Sequence, residues 1–205
     1  MKKVAYFIII VGIIFIGIGC YELITSNVNH NRALADAKSL LEKPAYDGEE
    51  KGTNGKEDTP VFPKNFNPAQ GETVGVLHIP KLEADLAIIE GTDPNELAKG
   101  VGHYKGTTYP LQKDQIVLSG HRETVFRRMG ELELGDKLVI QLPYGKFTYE
   151  IVHTKIVPAD DRTIIVPTAP EEVLTLTTCY PFHYLGDAPD RYIITAHPVW
   201  TEQGE

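Results

Sequence analysis

The stretch TLTTCYPF, Thr175 to Phe182, joins alternating threonine and leucine to a cysteine and then a proline. Leu174 to Thr178 has the period-two pattern of an extended, half-buried strand. Cys179 closes that run, and Pro181 then removes the donor a continuing ladder needs. A side chain at a strand end is held by a rigid element yet stays open to a ligand. Working outward, similar strand signals recur in TVGVLHIP (73–80), ADLAIIEG (84–91), QIVLS (115–119) and residues 192–199. Residues 137–142 and 146–157 flank Pro143-Tyr144-Gly145, a hairpin signal. Asp93 before Pro94 marks a short helix start, and TVFRRMG (124–130) suggests one or two further helical turns. Many short strands with two small helical pieces imply a mainly β fold, a barrel or a sandwich.

The chain has 205 residues, enough for one domain and an appendage. Its formal net charge of −8 argues against nucleic acid as a partner. The appendage is N-terminal. Val4 to Ile24 is almost wholly apolar and follows Lys2-Lys3, so a membrane-spanning helix with a cytoplasmic N-terminus is expected. A cleaved secretory signal is disfavoured by the length of the run and the lack of an A-x-A-like site. Gly17-Ile18-Gly19-Cys20 resembles a lipidation box but lacks its leucine. The expected division is an anchor over 1–24, an extracytoplasmic stalk over 25–71, a β domain over 72–200 and a polar tail over 201–205. Within the stalk, Asn31 to Lys43 reads as a short solvated helix, and Pro44 to Gly71 reads as a flexible tether.

Two cysteines are present, and Cys20 falls in or beside the membrane segment, so Cys179 has no partner in the exterior domain. The count leaves a buried, inert thiol and a reactive nucleophile equally open. A nucleophile needs positive charge nearby to favour thiolate, and histidine supplies both charge and proton transfer. Six histidines lie in the domain: His78, His103, His121, His153, His183 and His197. His121 stands out because it follows the strand QIVLS through one glycine, a second strand-end position. His103 is its competitor. Arg191 opens RYIITAHP, 12 residues after Cys179 (191 − 179), and an antiparallel return over that loop would set its guanidinium beside the sulfur. A surface ion pair with Asp187 or Asp190 is an equal reading for Arg191. A single thiol lacks the ligand pairing zinc needs, and no metal or cofactor is expected.

TLTTC at 175–179, LSGH at 118–121 and an arginine opening a later strand at 191 together resemble the signature of sortases, membrane-anchored cysteine transpeptidases of Gram-positive envelopes. The resemblance spans about Gly71 to Val199. GVLHIPK (75–81) is similar to an opening strand of the family, with His78 where an acidic residue is usual. LSGHRETVFRRMGELELGD and TTCYPFHYLGDAPDRYII look most like class D. The tether has Asp58-Thr59-Pro60 and no aromatic lid motif after Asp-Pro, which favours an open-cleft anchoring enzyme over a pilus polymerase.

The resemblance implies a closed barrel of about eight strands with Cys179, His121 and Arg191 as catalytic residues. Cys179 would attack an LPxT-like sorting signal to form a thioester. An amine of a lipid-linked peptidoglycan precursor would resolve it, joining surface proteins to the wall outside the membrane. The substrate groove would lie between the last strands and the loop from Pro158 to Pro170. A hydrolytic cysteine peptidase or a non-catalytic anchored binding module are the alternatives.

Overall fold

The computed structural model describes residues 2–42, 61–182 and 186–199. The tether over 44–60, His183 and the tail over 201–205 lie outside the described residues.

Eight strands close into one barrel. They are β1 Thr73–Ile79, β2 Ala84–Glu90, β3 Val101–His103, β4 Gln115–Ser119, β5 Lys137–Leu142, β6 Gly145–Pro158, β7 Val173–Tyr180 and β8 Asp190–Pro198. Around the barrel the order is β1-β2-β3-β4-β7-β8-β6-β5. Closure leaves no open sheet edge. β2 with β3 and β4 with β7 pair in parallel, and every other pairing is antiparallel. The inward residues follow the period of two: Leu77 and Ile79, Ile116 and Leu118, Leu138 and Ile140, Leu174 and Leu176, Ile194 and Ala196 fill one core. Tyr149 is fully buried there and donates its hydroxyl to Glu172 at 2.7 Å.

Most expected strands appear with their boundaries nearly unchanged. β3 has no counterpart among them. It has three residues, and glycine at 100 and 102 erases any periodic signal. Gly102 is required, since a Cβ there would lie 2.4 Å from the Gly91 carbonyl. The helix expected over 124–130 is instead a series of turns ending in a 3-10 turn at Met129–Glu131. Those turns carry Phe126 and Met129 into the core.

Helix α1, Lys2–Glu42, is continuous and replaces the expected short solvated helix. Ala33 and Ala37, one turn apart, are buried against Val76, Ala87 and Ile89 on the outer face of β1 and β2. Alanine lets the helix approach the sheet closely. Beside this seam Lys38 pairs with Asp85 at 2.6 Å, and Asp85 accepts from His78 at 2.7 Å. Lys38 foremost, with His78, holds the Asp85 carboxyl below its ordinary range against the opposing pull of burial. In the first half of α1 the apolar side chains of Ile9, Ile13 and Phe15 are exposed. Among the described residues no helix is long and apolar enough to cross a membrane.

Residues 61–71, expected as the end of the tether, are packed chain. Phe66 meets Tyr109 and Tyr144 edge-on at 5.0 Å each, and Phe62 meets Tyr144 at 5.6 Å. These rings cover the end of the barrel at the β5–β6 hairpin, whose turn is Pro143-Tyr144.

Ala37→Glu puts an unpaired carboxylate into the α1 seam. The expected result is a loss of about 1–3 kcal/mol in denaturant unfolding, with amide exchange accelerated over residues 31–42.

Candidate active site

Cys179, Arg191 and His121 come from three adjacent strands. On β7, Leu174 and Leu176 point into the core, so Thr175, Thr177 and Cys179 face outward. On β8, Ile194 and Ala196 point inward, so Arg191, Ile193 and Thr195 share the outward face. Cys179 lies directly opposite Arg191 in the β7–β8 register. Directly opposed Cβ atoms are about 4.5–5.5 Å apart. On β4 the inward pair is Ile116 and Leu118, and Ser119 opposes Thr177. Two residues further on, His121 stands level with Cys179 by the same count. The structure thus brings the three sequence-derived residues to one end of one face.

Two hydrogen bonds carry the β4–β7 alignment past the last paired residues. Gly120 N–H donates to the Thr177 carbonyl at 3.1 Å, and buried Thr178 donates its hydroxyl to the Gly120 carbonyl at 2.7 Å. Through that second bond the last threonine of TLTTC sets the distance between the histidine loop and the cysteine strand. Gly120 itself is forced, because a Cβ would sit 2.6 Å from the Phe126 ring.

Arg122 is the residue that sequence reasoning passed over. Its guanidinium is 4% exposed and donates to the Pro181 carbonyl at 3.1 Å, the Gly186 carbonyl at 2.8 Å and the Glu123 carboxylate at 2.7 Å. It therefore ties the loop after His121 to the loop after Cys179. An arginine abutting the candidate histidine was the only sign in the sequence. Arg191 pairs with neither Asp187 nor Asp190 among the described residues. Its Nη1 donates to the backbone carbonyls of Ala188 and Asp190 at 3.3 and 3.0 Å. Among the described residues Nε and Nη2 have no acceptor.

His103 has a structural role. It is buried on β3, bonded through Nδ1 to Glu90 at 2.6 Å and through Nε2 to the Thr108 carbonyl at 3.0 Å, and stacked on Tyr109. Both ring nitrogens are occupied, so it cannot exchange protons with Cys179.

The β6–β7 loop is also preformed. Gln115 donates to the Ile164 carbonyl at 2.8 Å and accepts from Val166 N–H at 2.9 Å, the two bonds a neighbouring strand would make. Asp114 accepts from the N–H groups of Thr168 and Ala169. A cleft of about 650 Å³ opens on the other side of His121, between α1, β2 and the turns after β4. Among the described residues no cluster gathers three or more metal-binding groups.

This arrangement of thiol, imidazole and guanidinium on one face can carry acyl transfer. The sortase domain family matches residues 77–199. The chain belongs to the sortase family. This sortase is 52% identical over 195 residues to Sortase D of Bacillus subtilis (strain 168), covering 95% of this chain and 97% of that protein. Family membership makes it a transpeptidase-type enzyme, similar to class D. Among solved structures it is 44% identical to the catalytic domain of B. anthracis SrtD, over 73% of this chain and 97% of that one, with a TM-score of 0.56. It shares the fold of the Clostridium perfringens Sortase D5 transpeptidase at 23% identity, over 84% of this chain and 99% of that one, with a TM-score of 0.67.

The buried pair behind the site makes a pH-dependent prediction. Burial pushes the Glu90 carboxyl up, but hydrogen bonds from His103 and Tyr109 outweigh it and hold the group below its ordinary 4.5. The stability this confers is complete above pH 4.5 and is lost as pH falls through the lower folded value. Glu90→Gln is expected to cost about 1–3 kcal/mol at pH 7 and to flatten the acid limb, as read by urea unfolding from pH 7 to 3.

Proposed function

We propose that this sortase cleaves an LPxT-like sorting signal through a thioester on Cys179 and transfers the acyl group to an amine of a lipid-linked peptidoglycan precursor. The observation that carries this reading is the alignment of Cys179, His121 and Arg191 on one outward face of β4, β7 and β8. Sγ attacks the threonine carbonyl carbon and the scissile C–N bond breaks. His121 delivers the proton to the leaving amine, then takes one from the incoming amine. The free edge of the Arg191 guanidinium faces the charge that develops on the carbonyl oxygen. The donor peptide lies along the outward face, beside the loop that Gln115 and Asp114 hold.

The apolar run Val4 to Ile24 at the start of α1 serves as the membrane anchor, with the barrel outside. The exposed isoleucine and phenylalanine side chains of that segment support this reading. Surface proteins and the wall precursor are then the two partners.

Cys179→Ala is expected to abolish both acyl adduct and product with an LPxTG-type peptide, as followed by intact-protein mass spectrometry. Adduct that resolves only to acid, whatever amine is supplied, would instead mark a peptidase. Arg191→Lys removes the planar fork of donors. The expected loss in kcat/KM is about 10²–10³-fold, and near-normal turnover would reduce Arg191 to a strut for its own loop.

A further inference from the structure

A catalytic base usually takes its orientation from a third group that its ring touches. The ion-paired histidines are His78 and His103, and among the described residues no carboxylate pairs with His121. Its backbone is held instead. Gly120, on one side, is tied to β7 through Thr177 and Thr178. The His121 carbonyl accepts from the N–H groups of Phe126 and Thr124 at 3.0 and 3.3 Å. Arg122, on the other side, reaches across to the carbonyls of Pro181 and Gly186.

Each of those two carbonyls leads on to another member of the site. Pro181 is two residues past Cys179 (181 − 179). Gly186 is two residues before Ala188 (188 − 186), whose carbonyl accepts from Arg191 Nη1. One guanidinium is thus linked, over a few bonds in each direction, to the residues that carry the imidazole, the thiol and the second guanidinium. Arg122 is buried, and Glu123 matches its charge. Burial pushes the Glu123 carboxyl up, but the Arg122 contact outweighs this and keeps it ionised at neutral pH. A second, apolar tie joins the same segments. Phe182 packs on Tyr192 at 5.3 Å and on Tyr180 at 5.6 Å. Its ring also lies over Gly130, where a Cβ would stand 2.9 Å from it.

We infer that Arg122 is a positioning residue for acyl transfer: by bridging the Pro181 and Gly186 carbonyls from the place next to His121, it sets His121, Cys179 and Arg191 within mutual reach. The inference rests on the transpeptidase reading above and deepens it. Arg122 acts through backbone and through the other three residues, so its loss falls on the rate of reaction and not on peptide binding. The fork is the feature that matters. Nη1 and Nη2 go to carbonyls of two different residues, a span that the single ammonium of lysine does not cover although it keeps the charge.

The test uses the full chain in nanodiscs with an LPxTG-type peptide. Single-turnover acylation of Cys179 is followed by intact-protein mass spectrometry over a range of peptide concentrations, below the unfolding midpoint of every variant. Arg122→Lys is expected to lower the maximum acylation rate by about 10²-fold, the cost of a misplacement of about 1 Å. The half-saturating peptide concentration should stay unchanged. Gly130→Ala leaves Arg122 in place and pushes on Phe182 at the other tie. It should also slow acylation at unchanged half-saturation, and both variants should exchange amides faster over residues 186–190. The double variant should lose less than the product of the two single losses, because both free the same segment.

A normal maximum rate in Arg122→Lys, or a loss confined to half-saturation, overturns the inference. Strict multiplication of the two losses does so as well. Should Arg122→Lys fail to fold, Gly130→Ala decides: faster exchange over 186–190 with a normal acylation rate overturns it. In each of these cases the wild type still forms its acyl-enzyme, and the transpeptidase reading stands. Failure of the wild type to form any acyl-enzyme overturns both.

Discussion

The hydrogen bond from the Thr178 hydroxyl to the Gly120 carbonyl sits where two parallel strands stop being sheet and become a site. Parallel neighbours have no hairpin to fix their register, so β4 and β7 depend on side chains to hold it at the end that matters. A slip of one residue would turn Cys179 into the core and bring Leu174 and Leu176 outward. The bond holds the histidine loop and the cysteine strand level, and the antiparallel register with β8 brings Arg191 to the same height. Three chemical groups from separate parts of the sequence are thus aligned by backbone geometry, with one threonine as the fastener.

The surroundings stiffen that alignment from outside. Arg122 joins the two loops that leave the site through the backbone carbonyls of Pro181 and Gly186. On the far flank, Gln115 and Asp114 bind the β6–β7 loop through its own amides and carbonyl. Beneath β3, Glu90, His103 and Tyr109 form a satisfied polar knot in which the imidazole is structural. Two histidines at strand ends therefore differ in setting, His121 lining an open cleft after β4 and His103 locked against a carboxylate.

Much of this was legible in the sequence because it rests on local periodicity. The apolar run at 116–118 and the alternation over 174–178 marked two strands and their ends, which is enough to bring His121 and Cys179 into consideration. Arg191 was ambiguous because sequence distance to Asp187 and Asp190 says nothing of direction; the β8 register and the loop carbonyls decided its partners. β3 was illegible, since three residues with glycine on either side of Val101 carry no pattern. The docking of α1 was missed for a different reason. Ala33 and Ala37 look innocuous on a charged helix, whereas the clue lay elsewhere, in Val76, Ala87 and Ile89 on strand faces that should have been polar. Arg122 could not be assigned because its partners are backbone atoms far along the chain.

A single helix that begins in the apolar run and ends against the barrel behaves as a post rather than a leash. Over 41 residues it reaches about 60 Å, and its last turns are bolted to β1 and β2. In the proposed membrane-anchored arrangement, height above the bilayer and compass heading are properties of residue count. One residue inserted between Ile24 and Ala33 would lift the barrel by about 1.5 Å and swing it by about 100° around the helix axis. A leash would absorb the same insertion without notice. In that proposed arrangement the number of residues between the apolar run and the barrel sets where each opening looks.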